Sequence, residues 1–373
     1  MKQTIAVKNE IQTANFSDSL WDFMDTIKRE RIIVSLFKNQ VRFSKKQVPF
    51  YKKIYEKLKE ESLNSLVDCA TKIPIIRKSD IRNLPSPYDL IPSEIKNDIS
   101  KLYLYRGTGG TTGIPTSIFF TKNDWIATVE GMVRGLEELK KMKKPIIAFN
   151  GYNQGHISGP IFDDTIRKIG GLSIARNFGS TDEQAVKQMA VHRCNLIIAP
   201  PVSTHKGGSI ESLLETDVKL GLNYINGSNI DVIFCSSTEL TSELYKELKN
   251  LGIKYIYNYY GSTEILPTAI SCQNNPFEFH ILFGHIALFV VGKNQQPVKN
   301  RERGVVLASR IGSYTDKLEI GENQGTQLLN YEVGDEVEFI SDKCPCGRTT
   351  PRISGVKRIK ETKDKIEGGC EYW

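Results

Sequence analysis

No apolar run in the 373 residues approaches the ~20 that a membrane-spanning helix needs. The N-terminus, MKQTIAVKNEIQTANFSDS, is too polar for a secretory signal peptide, so the expected location is the cytoplasm and no membrane partner is expected. A concentrated basic stripe with interleaved aromatics is also missing. The net charge of +7 comes from widely spread lysines with small clusters at 140–144 and 357–365. That distribution argues against a nucleic-acid partner and describes solvated faces. A mildly positive protein still favours a nucleotide or carboxylate ligand. Seven cysteines, an odd number in a long chain, do not make a disulfide framework. Cys69, Cys194 and Cys235 sit among apolar residues and read as small buried hydrophobes. Internal repeats and low-complexity segments are absent.

What is present is ordinary soluble composition, 39% hydrophobic and 25% charged. The length suggests two or three domains on a prior of ~150 residues each. Residues 20–60 space their apolar side chains at three and four, as helices do. Residues 70–100 are rich in proline and loop. From about 120 onward helix and strand patterns alternate: TKNDWIATVEGMVRGLEELKKM as a capped helix, KPIIAFN, PIFDDTIRKIG, LSIARN, TDEQAVKQMAVHR, NLIIAPP, GGSIESLLETDVKLGL, DVIFCSS, SELYKELKNLG and YIYNYYGS. The alternation predicts an α/β fold with a doubly wound, mostly parallel sheet. Ligands of such sheets sit beyond the carboxyl ends of the strands. Here those ends are the polar FNGYNQGH, APPVS, CSSTE and YYGSTE. After about 270 the pattern turns to strands alone and predicts a smaller β-rich subdomain. The expected division is 1–100 helical and loop, 101–270 nucleotide-binding α/β, 271–350 β-rich, and 351–373 a vestigial hinge and tail.

Chemistry concentrates in three segments. The first is TGGTTG at 108–113, between two strands. Its glycines Gly109, Gly110 and Gly113 suit a loop whose backbone N–H groups face an anion, and Thr108, Thr111 and Thr112 add hydroxyls. It is not a P-loop, because Ile114 stands where a lysine would. The second is NYYGSTE at 258–264. Tyr260 beside Gly261 offers a flat face to a purine, Thr263 a hydroxyl to a phosphate, and Glu264 a carboxylate to Mg²⁺. The third is YEVGDEV, where Asp335 in a Gly-Asp turn suits two ribose hydroxyls.

These segments, in this order, resemble the adenylate-forming (ANL) superfamily, nearest to phenylacetate–CoA ligase-like members. The resemblance runs from about 40 to 355. VPFYKKIYEK and KIPIIRKSDIR resemble the family's N-terminal segments, TGGTTGIPT its phosphate loop, and CSSTEL its adenine-contact turn, implying Ser237, Thr238 and Glu239 near the base. The resemblance implies ATP-dependent, Mg²⁺-assisted activation of an aromatic or other small carboxylic acid as acyl-AMP, then transfer to CoA or another thiol in secondary metabolism. It places His156 of NQGHISGP beside the carboxylate pocket, whose other residues are expected from 150–160, 200–207 and 235–266.

A fourth group concerns metal. His280 lies eight positions after Cys272, and Cys344 and Cys346 sit in CPCGRTTPR. Three thiols and an imidazole suit a closed tetrahedral Zn²⁺ site. Similar segments occur in phenylacetate–CoA ligase-like proteins, where the resemblance implies a structural role; the alternative is two unrelated cysteine groups.

The departures lie at the C-terminal end. In the hinge segment ISGVKRIKETKDK, Val356 stands at the family's arginine position and Ile359 and Lys360 replace its acidic pair. Arg358 is the candidate substitute for that arginine. No lysine matches the family's catalytic one, and the C-terminal lid domain is expected to be largely absent. In this the chain resembles adenylating proteins of phenazine biosynthesis and the acyl-protein synthetases of bacterial luminescence, which carry an acyl group on a cysteine near the C-terminus. Cys370 is the matching thiol, or an incidental one. Three readings therefore stand open: acid–thiol ligase, acyl-protein synthetase using Cys370 or an acceptor protein, and a non-catalytic binder of nucleotide or acyl-adenylate. A homodimer is one open assembly.

Overall fold

A computed structural model describes residues 20–108, 116–203, 207–314 and 320–359. The chain divides into two units. The first comprises residues up to Arg134, Ser262–Thr268 and His280 onward; the second comprises Gly135–Gly261 and Ala269–Phe279.

The first unit begins with short helix Leu20–Phe23 and long helix α1 (Thr26–Gln47). Asp25 caps α1 by accepting from Lys28 N at 3.0 Å, and one face buries Ile32, Ile33, Leu36, Phe37 and Val41. These positions recur at three and four, the spacing that puts residues on one helical face. One-turn helix α2 (Lys78–Arg82) follows, and then strands β1 (Leu102–Gly107) and β2 (Ser117–Thr121). They pair antiparallel with Gly107 opposite Ser117, so the glycine–threonine segment is a hairpin connection, as its place between two strand patterns predicts.

β2 runs directly into helix α3 (Lys122–Gly135) through a reciprocal cap. Thr121 N donates to Asp124 Oδ2 at 3.0 Å, and Asp124 N donates to Thr121 Oγ1 at 3.3 Å. The sequence predicts a longer helix, to about Met142. The helix stops at Gly135, and a 3₁₀ turn takes Glu137–Lys141. Gly135 packs so tightly that a Cβ there would stand 2.9 Å from the Ile270 side chain.

The second unit alternates β3 (Ile147–Asn150), α4 (Ser158–Lys168), β4 (Leu172–Ala175), α5 (Asp182–His192), β5 (Leu196–Ala199), α6 (Ile210–Leu220), β6 (Val232–Ser236), α7 (Ser242–Asn250) and β7 (Tyr255–Tyr260). The helices start on capping side chains, Thr181, Ser209 and Thr241. α6 ends on Gly221 in the left-handed region, φ +64°. Strand order is β4-β3-β5-β6-β7, all parallel, with β8 (Ala269–Cys272) antiparallel beside β7. β5 and β6 are buried along their whole length, as strands covered on both faces are. Phe149, Ile197, Ile233 and Ile256 pack with Val186, Leu213, Leu214 and Leu244 from the helices into one core. Strand order reverses at β3, so the loops after β3 and β5 leave the sheet at its topological switch point.

β9 (Asn275–Ile281) returns the chain to the first unit, the division falling between Phe279 and His280. The first unit's sheet is antiparallel, in the order β10 (Ile286–Val291), β11 (Arg303–Arg310), β14 (Tyr331–Ile340), β15 (Arg352–Arg358). A small pair, β12 (Ser313–Tyr314) and β13 (Ile320–Gly321), lies between β11 and β14 in the chain.

A buried carboxylate locks the N-terminal hairpin to this region. Asp124 is wholly buried; its Oδ1 accepts from Gln324 N at 3.3 Å, and Arg310 lies 3.9 Å from its Oδ2. The Arg310 guanidinium sits over the Phe120 ring at 4.6 Å and donates to Thr326 O at 3.1 Å. Thr326 in turn exchanges two bonds with Phe119 of β2. Removing one partner of a buried pair leaves the other charge uncompensated. Asp124→Ala is therefore expected to lower unfolding free energy by ~3–5 kcal/mol in denaturant titration. A change below ~1 kcal/mol would show that the pair does not hold the unit together.

Candidate active site and metal centre

In the first unit, Thr108 and Thr116 close the neck of the glycine hairpin, Thr108 N donating to Thr116 O at 3.0 Å. Both hydroxyls are buried and have no hydrogen-bond partner among the described residues. Buried hydroxyls seldom lack partners. Gly109, Gly110, Thr111, Thr112 and Gly113 lie outside the described residues.

Thr263 and Glu264 occupy the segment 262–268, which packs on α3. Gly131 makes that packing possible, since a Cβ there would stand 2.5 Å from the Pro267 ring. Glu264 is buried, and Tyr331 OH donates to its Oε1 at 3.1 Å. Burial and the Glu264 charge push the Tyr331 phenol well above its ordinary range, so it stays protonated and donates. Lys78 Nζ stands 3.8 Å from the same oxygen.

Tyr331 opens β14, and its side chain shares a buried face with Val333 and Asp335. Asp335 pairs across the ladder with Arg358, whose Nη1 donates to Asp335 Oδ1 at 3.0 Å and to Val333 O at 3.1 Å. Gly334, at φ +87°, lets the guanidinium approach; a Cβ there would stand 3.3 Å from its central carbon. One strand thus serves two sequence-predicted carboxylates, Glu264 through Tyr331 and Asp335 through Arg358.

In the second unit, three loops at the carboxyl ends of the strands are stitched together. After β3, Asn150 Nδ2 donates to Gly159 O and to Asp163 Oδ1, each at 2.8 Å, and Gln154 donates to Asp163 Oδ2 at 3.0 Å. These bonds fix the loop that carries Tyr152 and His156. Tyr152 OH donates to Ser236 O at 2.8 Å, and Ser237 Oγ donates to Tyr152 OH at 3.2 Å. Thr238 Oγ1 donates to Val202 O at 2.9 Å, tying in the loop after β5. Ser237 sits at φ +77°, a left-handed conformation that turns the chain sharply out of β6. Ser237 and Glu239 are exposed and Thr238 is half-buried. His156 stacks beside Tyr152 with centroids 6.3 Å apart. Ser158 N donates to His156 Nδ1 at 3.2 Å, which puts the ring proton of the neutral form on Nε2. Tyr260 packs on Phe279 at 6.3 Å, and Gly261 follows it, exposed.

Three of the four metal-type residues assemble within the first unit: His280 on β9 and Cys344 and Cys346 in the turn after β14 bring their donor atoms within 4.8 Å of one another. Cys272 ends β8 in the second unit. Cys346 Sγ is 3.3 Å from His280 Nε2. His280 Nδ1 lies 3.2 Å from Thr350 O and 3.1 Å from Thr350 Oγ1. A donated Nδ1–H leaves Nε2 as the ligating nitrogen, the usual support of a metal-bound histidine. The turn is held from below by Arg348 against Asp22 at 3.7 Å and by Thr349, which accepts from Arg29 at 2.7 Å.

Sequence comparison with curated proteins finds a phenylacetate–coenzyme A ligase of Thermus thermophilus, 23% identical over 343 residues, spanning 89% of this chain and 71% of the relative. Among solved structures, 2-hydroxyisobutyryl-CoA ligase in an open conformation, in complex with 2-HIB-AMP and CoA, matches with TM-score 0.77 at 16% identity, covering 94% of this chain and 79% of that one. The same ligase in its thioesterification state matches with TM-score 0.75 at 18% identity, covering 92% and 70%. No family model matches. The chain is thus similar in sequence to a phenylacetate–coenzyme A ligase and shares the fold of 2-hydroxyisobutyryl-CoA ligase.

Both of these similar proteins are acid–CoA ligases by name. The residues that sequence reasoning missed are Tyr331, Lys78 and Tyr152, each of which holds a residue it did find. Tyr331 was within reach, because alternation along YEVGDEV puts it on the same face as Asp335. Cys370 and Lys360 lie outside the described residues, as do Thr204–Lys206 of the expected pocket.

The stitch through Tyr152 has a measurable worth. Tyr152→Phe is expected to cost ~1 kcal/mol of stability and to speed amide exchange at Ser236–Thr238. Unchanged exchange at those amides would show that the hydroxyl does not hold the turn.

Proposed function

We propose that the protein activates a carboxylic acid with ATP as an acyl-adenylate and passes the acyl group to CoA. The observation that carries this reading is the buried Glu264 carboxylate, oriented by Tyr331 and neutralised by a lysine, in a chain with the fold of 2-hydroxyisobutyryl-CoA ligase. A buried carboxylate with a cation already beside it is chemically fit for Mg²⁺, a hard ion that takes oxygen ligands. When bound there, Mg²⁺ supplies charge neutralisation for the phosphates.

The remaining roles follow from chemistry at each position. Thr108 and Thr116 at the hairpin neck, with the glycine–threonine loop between them, present donors to the β- and γ-phosphates. Asp335 accepts from the ribose hydroxyls, with Arg358 fixing its orientation. The Ser237–Glu239 turn and Tyr260 take the adenine. His156, with its proton on Nε2, donates to the substrate carboxylate, and the aromatic group of Tyr152, Phe162, Phe234 and Tyr259 beneath it suits an aromatic acid. Catalysis of the first half-reaction is then positioning and charge stabilisation, with no side-chain nucleophile. The Thermus relative is named for an aromatic acid and the solved one for a short hydroxy acid, so both classes belong in a test.

The test is carboxylate-dependent ATP–pyrophosphate exchange over aromatic and short hydroxy acids, with and without CoA. At least one acid is expected to support exchange, with thioester formed when CoA is added. Glu264→Gln should lower exchange by about 10²–10³-fold, the usual cost of losing one charge-stabilising group. Exchange with no acid, despite ATP binding, would reject the reading; exchange without thioester would reject the CoA step.

We also infer that the Cys272, His280, Cys344 and Cys346 set holds a structural Zn²⁺. Donors around a tetrahedral zinc stand ~3.3–3.8 Å apart, which the spacing of His280, Cys344 and Cys346 accommodates. Purified protein should contain one zinc per chain by elemental analysis. Cys344→Ser should lose it and melt several degrees lower. Full zinc content in that variant would remove the site.

A further inference from the structure

The glycine hairpin carries no lysine, Ile114 standing where a phosphate-binding cation would. The first unit nevertheless places a lysine beside Glu264, and the arrangement is not that of a settled ion pair. Lys78 Nζ lies 3.8 Å from Glu264 Oε1, beyond hydrogen-bond distance, while Tyr331 already donates to that oxygen at 3.1 Å. Lys78 therefore compensates the buried charge without locking it. Its side chain is mostly buried, with 20% exposed, so it belongs to the site and not to the solvated surface.

Arg82 lies one helical turn further along α2, on the same side as Lys78. Its Nε is buried and has no hydrogen-bond partner among the described residues. The positive charges of Arg82 and Arg358 favour the ionised Tyr331 phenol, against the effect of burial and of Glu264. The neighbouring Arg77 is otherwise engaged, 3.7 Å from Glu332, and Asp80 is turned back to the α2 cap, accepting from Arg77 N at 2.7 Å. Lys78 stands beside Glu264 and Arg358 beside Asp335, and Arg82 adds a third positive charge against these two carboxylates. A divalent ion arriving at Glu264 raises the excess to three positive charges, which only a polyanion balances.

We propose that Lys78 is a resident counter-ion of Glu264 that a divalent cation displaces, and that the released ammonium joins Arg82 as the cation pair for a polyphosphate. This rests on the adenylation reading above, in which Glu264 takes the metal. The lysine stands in for the metal while the site is empty, keeping a buried carboxylate from being left alone. It becomes available to phosphate only once the metal is in place, so metal and polyphosphate bind as a pair.

The test uses the full chain and needs no turnover. Mn²⁺ binding is followed by the electron paramagnetic resonance of free Mn²⁺, and binding of magnesium pyrophosphate by calorimetry. Lys78→Met removes the competitor and should bind Mn²⁺ about fivefold tighter than wild type, the scale of a partly buried pair. It should bind magnesium pyrophosphate about tenfold more weakly. Arg82→Met should leave Mn²⁺ binding unchanged and weaken magnesium pyrophosphate by a similar factor. Lys78→Arg, which keeps the charge, should return Mn²⁺ affinity towards wild type and guards against a folding artefact. Equal Mn²⁺ affinity in wild type and Lys78→Met, with binding lost in Glu264→Gln, overturns the displacement. Undiminished Mn²⁺ binding in Glu264→Gln overturns instead the assignment of metal to Glu264.

Discussion

A single wholly buried carboxylate, Asp124, decides how the first unit is put together. It starts α3, receives the backbone of Gln324, and faces the Arg310 guanidinium. Through it the strand that leaves the glycine hairpin, the helix that follows and the segment before β14 share one anchor. A buried charge is tolerated only when its partners are all in place, so the three elements must fold as one. Gly325 shows how close the approach is: a Cβ there would stand 2.3 Å from Phe119 O and 2.5 Å from Asp124 Oδ2. The hairpin neck with its two buried threonine hydroxyls is held at the edge of this arrangement.

From that frame the site is assembled by strand geometry. Alternation along β14 delivers Tyr331 and Asp335 to one face. The register with β15 delivers Arg358 opposite Asp335, although the pairing slips between Glu336 and Glu338. In the second unit the equivalent work is done by loops. Their polar side chains bond to one another's backbones and side chains, which ties the sheet's carboxyl ends together.

Much of this was legible in the sequence, and the limits have a physical cause. The alternating helix and strand patterns recovered the order of elements in the second unit, because each burial face is a local periodicity. The end of α3 was missed because Gly135 acts through a contact with Ile270, which no local pattern records. Among the site residues, Glu264, Asp335 and the four metal-type residues stood out by type and by their neighbours in the chain. Tyr331 and Lys78 did not, since each meets Glu264 across a long separation fixed only by packing. The pairing of Arg358 with Asp335 depends on a bulged register and was equally hidden, although both residues were singled out separately.

Asp22 has a consequence of another kind. It stands 3.1 Å from Arg134 at the end of α3 and 3.7 Å from Arg348 beside the cysteine turn, and all three are buried. One anion thus serves two cations from distant parts of the chain. None of the three can change alone without stranding a charge, so their effects are not additive. Relatives that drift here must drift together, and Asp22, Arg134 and Arg348 form an epistatic trio whose members should be swapped between homologues only as a set.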